Sequence, residues 1–148
     1  MTDTQKFILI LWAHHFDEIT AAISVTELRR LDWTVRVVGL TGRRNRGWGG
    51  LDILPDMMLE SSRKLLNDTA AIIVPCENSS WQILHRDPRL VEFLADLGQS
   101  RIPLLVSSTV ENTAEIQAAT APILTYPGPA ELAKFLHRTF ELPGMERL

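Results

Sequence analysis

The sequence predicts an α/β fold, with a doubly wound parallel sheet held between two helical layers. Short continuous apolar runs bounded by polar residues are the first sign, because a parallel strand is covered on both faces. The second is that a helix-patterned segment separates each run from the next. The third is the stretch Ile102-Pro103-Leu104-Leu105-Val106, which runs straight into Ser107-Ser108-Thr109. That transition reads as a strand-to-helix elbow, where an α/β enzyme places a nucleophile.

The predicted strands are Phe7 to Trp12, Thr34 to Leu40, Ala70 to Val74, Leu104 to Val106 and the short Ile123-Leu124. Helical patterns fall at roughly 17 to 31, 58 to 67, 79 to 98, 110 to 119 and 129 to 141. Asp87-Pro88 is a good helix start, a capping carboxylate followed by proline at the first helical position. Leu90, Phe93, Leu94 and Leu97 then form one apolar face. Gly128-Pro129-Ala130-Glu131 opens the last helix in the same way. Right-handed crossovers between such elements give three layers, and the expected arrangement is flavodoxin-like, with five parallel strands in the order 2-1-3-4-5. The whole chain, residues 1–148, reads as one domain, with no repeat or linker.

The first helix carries two apolar stripes, Phe16, Ile19, Ala22 and Ile23 on one side and Ala21, Val25, Leu28 and Leu31 on the other. A helix that only covers a sheet needs one. The second stripe predicts a homodimer through this helix, or else cover by the C-terminal segment of the same chain.

Composition excludes several functions. With 45% hydrophobic residues, 15 basic and 18 acidic side chains and a formal net charge of -3, nothing drives the chain toward nucleic acid or an anionic membrane. No apolar run approaches the roughly 18 residues of a membrane span. Met1 to Lys6 is polar and lacks the apolar stretch of a secretory signal, and one cysteine makes no internal disulfide, so a cytoplasmic location is expected. The Asn78-Ser79-Ser80 sequon is read as chance.

In an open parallel sheet, ligands bind beyond the carboxyl ends of the strands. Those ends bring Trp12, His14, His15, Asp17 and Glu18, then Cys76, Glu77 and Asn78, then Ser107, Ser108, Thr109, Glu111 and Asn112, and finally Tyr126. Imidazoles, carboxylates, a thiol and hydroxyls form a reasonable acid-base or nucleophilic set. Against this, adjacent histidines in extended backbone point opposite ways. His14, His15, Cys76 and Glu77 lack zinc-ligand spacing, so no metal and no cofactor is expected. Ser107, Ser108 and Thr109 suit capping of the next helix as well as catalysis. Cys76 suits a buried, inert thiol as well as a nucleophile, and the neighbouring Glu77 disfavours its thiolate. The basic loop Thr41 to Gly50, with Arg43, Arg44, Arg46 and Trp48, suits a phosphate or an acidic partner, or a solvated flexible loop. No glycine-rich phosphate loop follows the first strand. A phosphorelay receiver, which shares the strand order, requires an aspartate where Cys76 and Glu77 stand.

Taken in order, several pieces resemble the ThiJ/PfpI superfamily of class I glutamine amidotransferase-like proteins. They are the first strand with Phe16-Asp17-Glu18, Leu28 to Val35, Ile53-Leu54-Pro55-Asp56, Ala71 to Pro75, Arg86 to Leu94, Pro103 to Val106, and Ile123-Leu124-Thr125 with Gly128 to Phe140. The resemblance implies a cysteine nucleophile at the elbow, where this chain has Ser108, followed by Thr109 and Val110. The acid that partners that cysteine falls on Thr20. The paired glycines that help form an oxyanion pocket become Cys76 and Glu77, and the histidine-bearing stretch before the last strand is shortened. Losing one oxyanion donor typically costs roughly 100- to 1000-fold in rate.

The expectation is therefore a degenerate active site in a homodimeric, non-catalytic module that binds a small carbonyl or carboxylate compound or regulates another protein. Its ligand pocket is expected to comprise Trp12, Glu18, Thr20, Glu77, Asn78, Ser107, Thr109 and Tyr126. The alternative is an atypical hydrolase or amidase with Ser108 or Cys76 as nucleophile and His14 or His15 as base.

Overall fold

The structure, a computed structural model, describes residues 7–42, 44–111 and 122–141. Its main sheet contains β1 (Phe7–Trp12), β2 (Thr34–Gly39), β5 (Met57–Met58), β6 (Thr69–Ile73), β7 (Leu104–Ser107) and β8 (Ile123–Tyr126). All pairings are parallel, in the order β5-β2-β1-β6-β7-β8. The five expected strands thus stand in the expected order, and β5 adds a sixth beyond β2. It was hidden in the sequence because it is two residues long and runs directly into a helix.

Helices α1 (Glu18–Arg30), α2 (Leu59–Ser62), α3 (Asn78–Leu84), α4 (Pro88–Ser100) and α5 (Pro129–Phe140) flank the sheet. The helix expected over 79 to 98 is two helices. The first ends at Leu84, and Asp87 caps the second, its carboxylate accepting from the Arg89 amide at 2.9 Å. The segment over 58 to 67 is one α-helical turn followed by a 3-10 helix, Arg63–Asp68. The helix expected over 110 to 119 falls mostly outside the described residues.

β1 is the centre of the core. Ile8 through Trp12 are wholly buried, as runs covered on both sides should be. α1 lays Ala21 and Leu28 on this core, and α5 packs along α1, where His137 Nε2 meets Glu27 Oε1 at 2.9 Å. Phe140 closes edge-on against Trp33. The C-terminal helix therefore covers part of α1, while Ile19 and Ala22 stay exposed. On α4, Leu90, Phe93, Leu94 and Leu97 are buried, and Arg63 ties the 3-10 helix to Glu92 and Asp96.

The basic loop is an ordered hairpin rather than a free one. β3 (Asn45–Arg46) and β4 (Asp52–Ile53) pair antiparallel. Asn45 is fully buried: its carbonyl accepts from Trp12 Nε1 at 3.0 Å, and its amide donates to the Gly42 carbonyl at 2.9 Å.

Phe93 fills the interior face of α4 with no exposed surface. Phe93→Ala is expected to destabilise the fold by about 3–5 kcal/mol. A lower urea midpoint with unchanged slope in equilibrium unfolding would register that loss.

Candidate functional site

The carboxyl ends of β1, β6, β7 and β8 gather the candidate residues, and the chain segments leaving them set what each side chain can do. After β1 the backbone turns at His14 and His15 instead of continuing extended. His15 adopts φ 64°, a left-handed conformation that costs a non-glycine residue of order 1 kcal/mol. Its neighbours hold it there: its amide donates to the Arg46 carbonyl at 2.9 Å, and its carbonyl accepts from Ser80 Oγ at 3.2 Å. His14 Nδ1 accepts from the Arg46 amide. His15 lies edge-on to Trp48. Both rings are exposed, and each turns toward the hairpin rather than toward Ser108.

Asp17 caps α1, accepting from the Ile19 amide at 3.0 Å and from the Thr20 hydroxyl at 2.7 Å. Thr20, at the position of the family acid, is thus a buried support for this cap. Glu18 is buried and faces the hairpin, where the Gly49 and Leu51 amides donate to it at 2.8 and 2.9 Å. Desolvation pushes its carboxyl up, but those backbone amides together outweigh it and hold the group below the usual carboxylate value. Gly47 lies directly on this carboxylate, where a Cβ would overlap it. Trp12, expected in the pocket, is instead a fully buried anchor for the hairpin.

Cys76 is buried, and its amide donates back to the Val74 carbonyl at 2.9 Å. Burial first, and then the charges of Glu77 and Asp17, push its thiol far above the ordinary range. Tyr126 is shifted upward in the same way, by burial and then by the charges around it. Its hydroxyl donates to the Val74 carbonyl at 2.9 Å.

At the elbow, Ser107 ends β7 buried, and Ser108 and Thr109 are exposed. Four consecutive amides are already engaged here. Ser108 N donates to the Tyr126 carbonyl at 3.0 Å, Thr109 N to Ser107 Oγ at 3.1 Å, and Val110 N to the Ser107 carbonyl at 3.0 Å. Glu111 N donates to Asn78 Oδ1 at 2.8 Å. The Thr109 hydroxyl donates to Glu77 Oε1. Among the described residues, no imidazole hydrogen-bonds Ser108: His85 pairs with the Trp81 carbonyl, and His137 with Glu27. An oxyanion needs free amides, and a serine needs a base. Among the described residues, the amides from Ser108 to Glu111 are engaged and no imidazole serves Ser108. Asn112 lies outside the described residues.

Two clefts flank the Tyr126–Pro129 turn. One, of about 400 Å³, is lined by His15, Asp17, Trp48, Glu77, Ser79 and Ser80, with Pro129 at its edge. The other, of about 410 Å³, contains Ser108, Thr125, Tyr126, Glu131, Lys134 and Arg138. Of the expected pocket residues, Glu77 therefore lines the first cleft and Tyr126 the second. Trp12, Glu18, Thr20, Asn78, Ser107 and Thr109 line neither. They support the site by capping, tethering and packing. Sequence reading missed Ser79, Ser80, Lys134 and Arg138. The only signal for the last two was their spacing of four on a helix that starts at the ligand end. Among the described residues, no three His, Cys, Asp or Glu side chains are grouped to hold a metal ion.

No protein-family model matches the sequence, and neither does any curated protein. The fold does match solved structures. The VC2308 protein superposes with a TM-score of 0.74 at 18% identity, over 97% of this chain and 89% of its own. Toxoplasma gondii DJ-1, in an oxidized form, gives 0.73 at 17% identity, over 95% and 92%. Drosophila melanogaster DJ-1beta gives 0.70 at 18%, over 97% and 93%. The chain has the fold of the DJ-1/ThiJ/PfpI proteins.

A buried thiol that must stay protonated makes the native state lose stability as the unfolded chain begins to ionise. With the folded pKa raised, the contribution is intact below the unfolded value of about 8.5 and falls by roughly 1.4 kcal/mol per pH unit above it. Chemical denaturation between pH 7 and 10 should show this decline, with a shallower slope in Cys76→Ala. Iodoacetamide should label Cys76 only after unfolding.

Proposed function

We propose that this chain is a divergent, non-catalytic member of the ThiJ/PfpI superfamily. It acts as a homodimeric small-molecule-binding or regulatory module in the cytoplasm. The observation that supports the reading is the elbow: its amides from Ser108 to Glu111 are engaged, and among the described residues no imidazole hydrogen-bonds Ser108. The buried, proton-retaining Cys76 points the same way. The ligand is a small carbonyl or carboxylate compound held at the strand ends, with Ser79 and His15 as donors in one cleft and Ser108 in the other.

The dimer reading has its own support. Glu18 draws the hairpin against the first turn of α1, which brings exposed Trp48 and Leu51 to the same end of the protein as exposed Ile19. Grouped apolar side chains of this kind favour a second surface over water. No helix of the described residues is long and apolar enough to cross a membrane.

Catalysis is tested with ester and amide substrates and with a fluorophosphonate probe. The expected result is no multiple turnover and no labelling at Ser108. Turnover abolished by Ser108→Ala or Cys76→Ala would instead establish the hydrolase or amidase reading, with His14 or His15 as base.

Sedimentation equilibrium addresses the dimer. The unmodified chain should run at twice the monomer mass, and Ile19→Asp should shift it to monomer without lowering helical content. A monomeric unmodified chain at high concentration removes this part of the proposal.

A further inference from the structure

We propose that the cleft between Ser108 and α5 is an anion subsite, taking the carboxylate or phosphate group of a ligand. This rests on the binding-module reading above and assigns that module a charge preference and two residues, Lys134 and Arg138.

Lys134 and Arg138 are four residues apart on α5, so their side chains rise from the same face one turn apart. Both are exposed, both line the cleft, and neither has an ion-pair partner among the described residues. Elsewhere among the described residues Arg30, Arg46, Arg63 and Arg89 each pair with a carboxylate, while Arg29, Arg36, Arg44, Lys64, Arg86 and Arg101 do not; what sets Lys134 and Arg138 apart is that they share one cleft. Two uncommitted cations facing one concavity leave a positive site without its counter-charge. Glu131 lines the same cleft and offsets one of them, which leaves a net single positive charge.

The hydrogen-bonding groups complete the case. Ser108 Oγ has no partner among the described residues, and Thr125 brings a second hydroxyl to the cleft wall. Tyr126 is not available, since its hydroxyl is committed to the Val74 carbonyl. Arginine, lysine and hydroxyl donors together suit a carboxylate or phosphate oxygen. The neighbouring cleft repels the same group, because Asp17 and Glu77 line it and, among the described residues, no lysine or arginine does. The two sides of the Tyr126–Pro129 turn therefore sort ligand ends by charge.

The test is an amide NMR titration of the full chain at pH 7 with inorganic phosphate, and separately with succinate, at matched ionic strength. Saturable shifts confined to the elbow, Thr125 and α5 are expected with at least one anion. Which anion saturates identifies a phosphate or a carboxylate as the source. The double change Lys134→Gln and Arg138→Gln should weaken binding by about tenfold or more. The charge-keeping pair Lys134→Arg and Arg138→Lys, and Arg101→Gln at the far end of α4, should retain most of it. Because all three positions are exposed, folding should be unaffected, and a thermal melt checks this. Linear shifts with both anions overturn the proposal. So does equal weakening by Arg101→Gln, which would mean diffuse surface attraction. Turnover at Ser108 would defeat the non-catalytic reading while leaving the subsite standing, so the two failures are distinguishable.

Discussion

Tyr126 is the interaction on which the ligand end of this protein depends. It ends β8, yet its hydroxyl crosses to the Val74 carbonyl beyond β6, and its own carbonyl takes the Ser108 amide. One residue therefore fastens three adjacent strand ends. The buried hydroxyl is satisfied, as a desolvated polar group must be. The consequence reaches beyond stability. By occupying the Ser108 amide, Tyr126 removes a donor from the place where the fold would otherwise present it to a ligand.

Glu18 performs a comparable task on the other side. A buried carboxylate is costly unless several donors meet it. Here the Gly49 and Leu51 amides do so, and the turn closes over the carboxylate because Gly47 has no side chain to hold it off. A glycine- and arginine-rich stretch that would be free on its own thus becomes a cap over the start of α1. The cap brings Trp48 to the rim of the acidic cleft, and Arg46 is drawn into a pair with Asp52. Binding chemistry and apolar surface at this end both follow from one desolvated charge.

A fold shared with the DJ-1/ThiJ/PfpI proteins does not carry their chemistry with it. What matters is the disposition of individual atoms. At the elbow the amides are engaged, the thiol of Cys76 is buried, and His14 and His15 face the hairpin. Polar side chains remain in quantity, but most are spent on one another. Of the two clefts beside Tyr126 to Pro129, one is lined by Asp17 and Glu77 and the other by Lys134 and Arg138.

The buried central strand, the Asp87 cap and the burial of Cys76 were all readable from local pattern. Each depends on burial periodicity or on neighbours within a few residues. The split of the 79 to 98 helix was half visible, in the very Asp87-Pro88 pair that marks its second start. What the sequence could not convey was direction. Trp12, Glu18, Thr20 and Ser107 sit near the ligand end in the chain, but Trp12 and Glu18 turn to the hairpin far along the sequence, and Thr20 and Ser107 are buried and spent on neighbours within three residues. Lys134 and Arg138 join the site only because α5 packs back along α1, placing its basic face beside the β7 elbow. Residue type and spacing determine which elements form. Which side chains are spent and which are left for a ligand is decided by contacts between distant segments, and only the folded chain makes those.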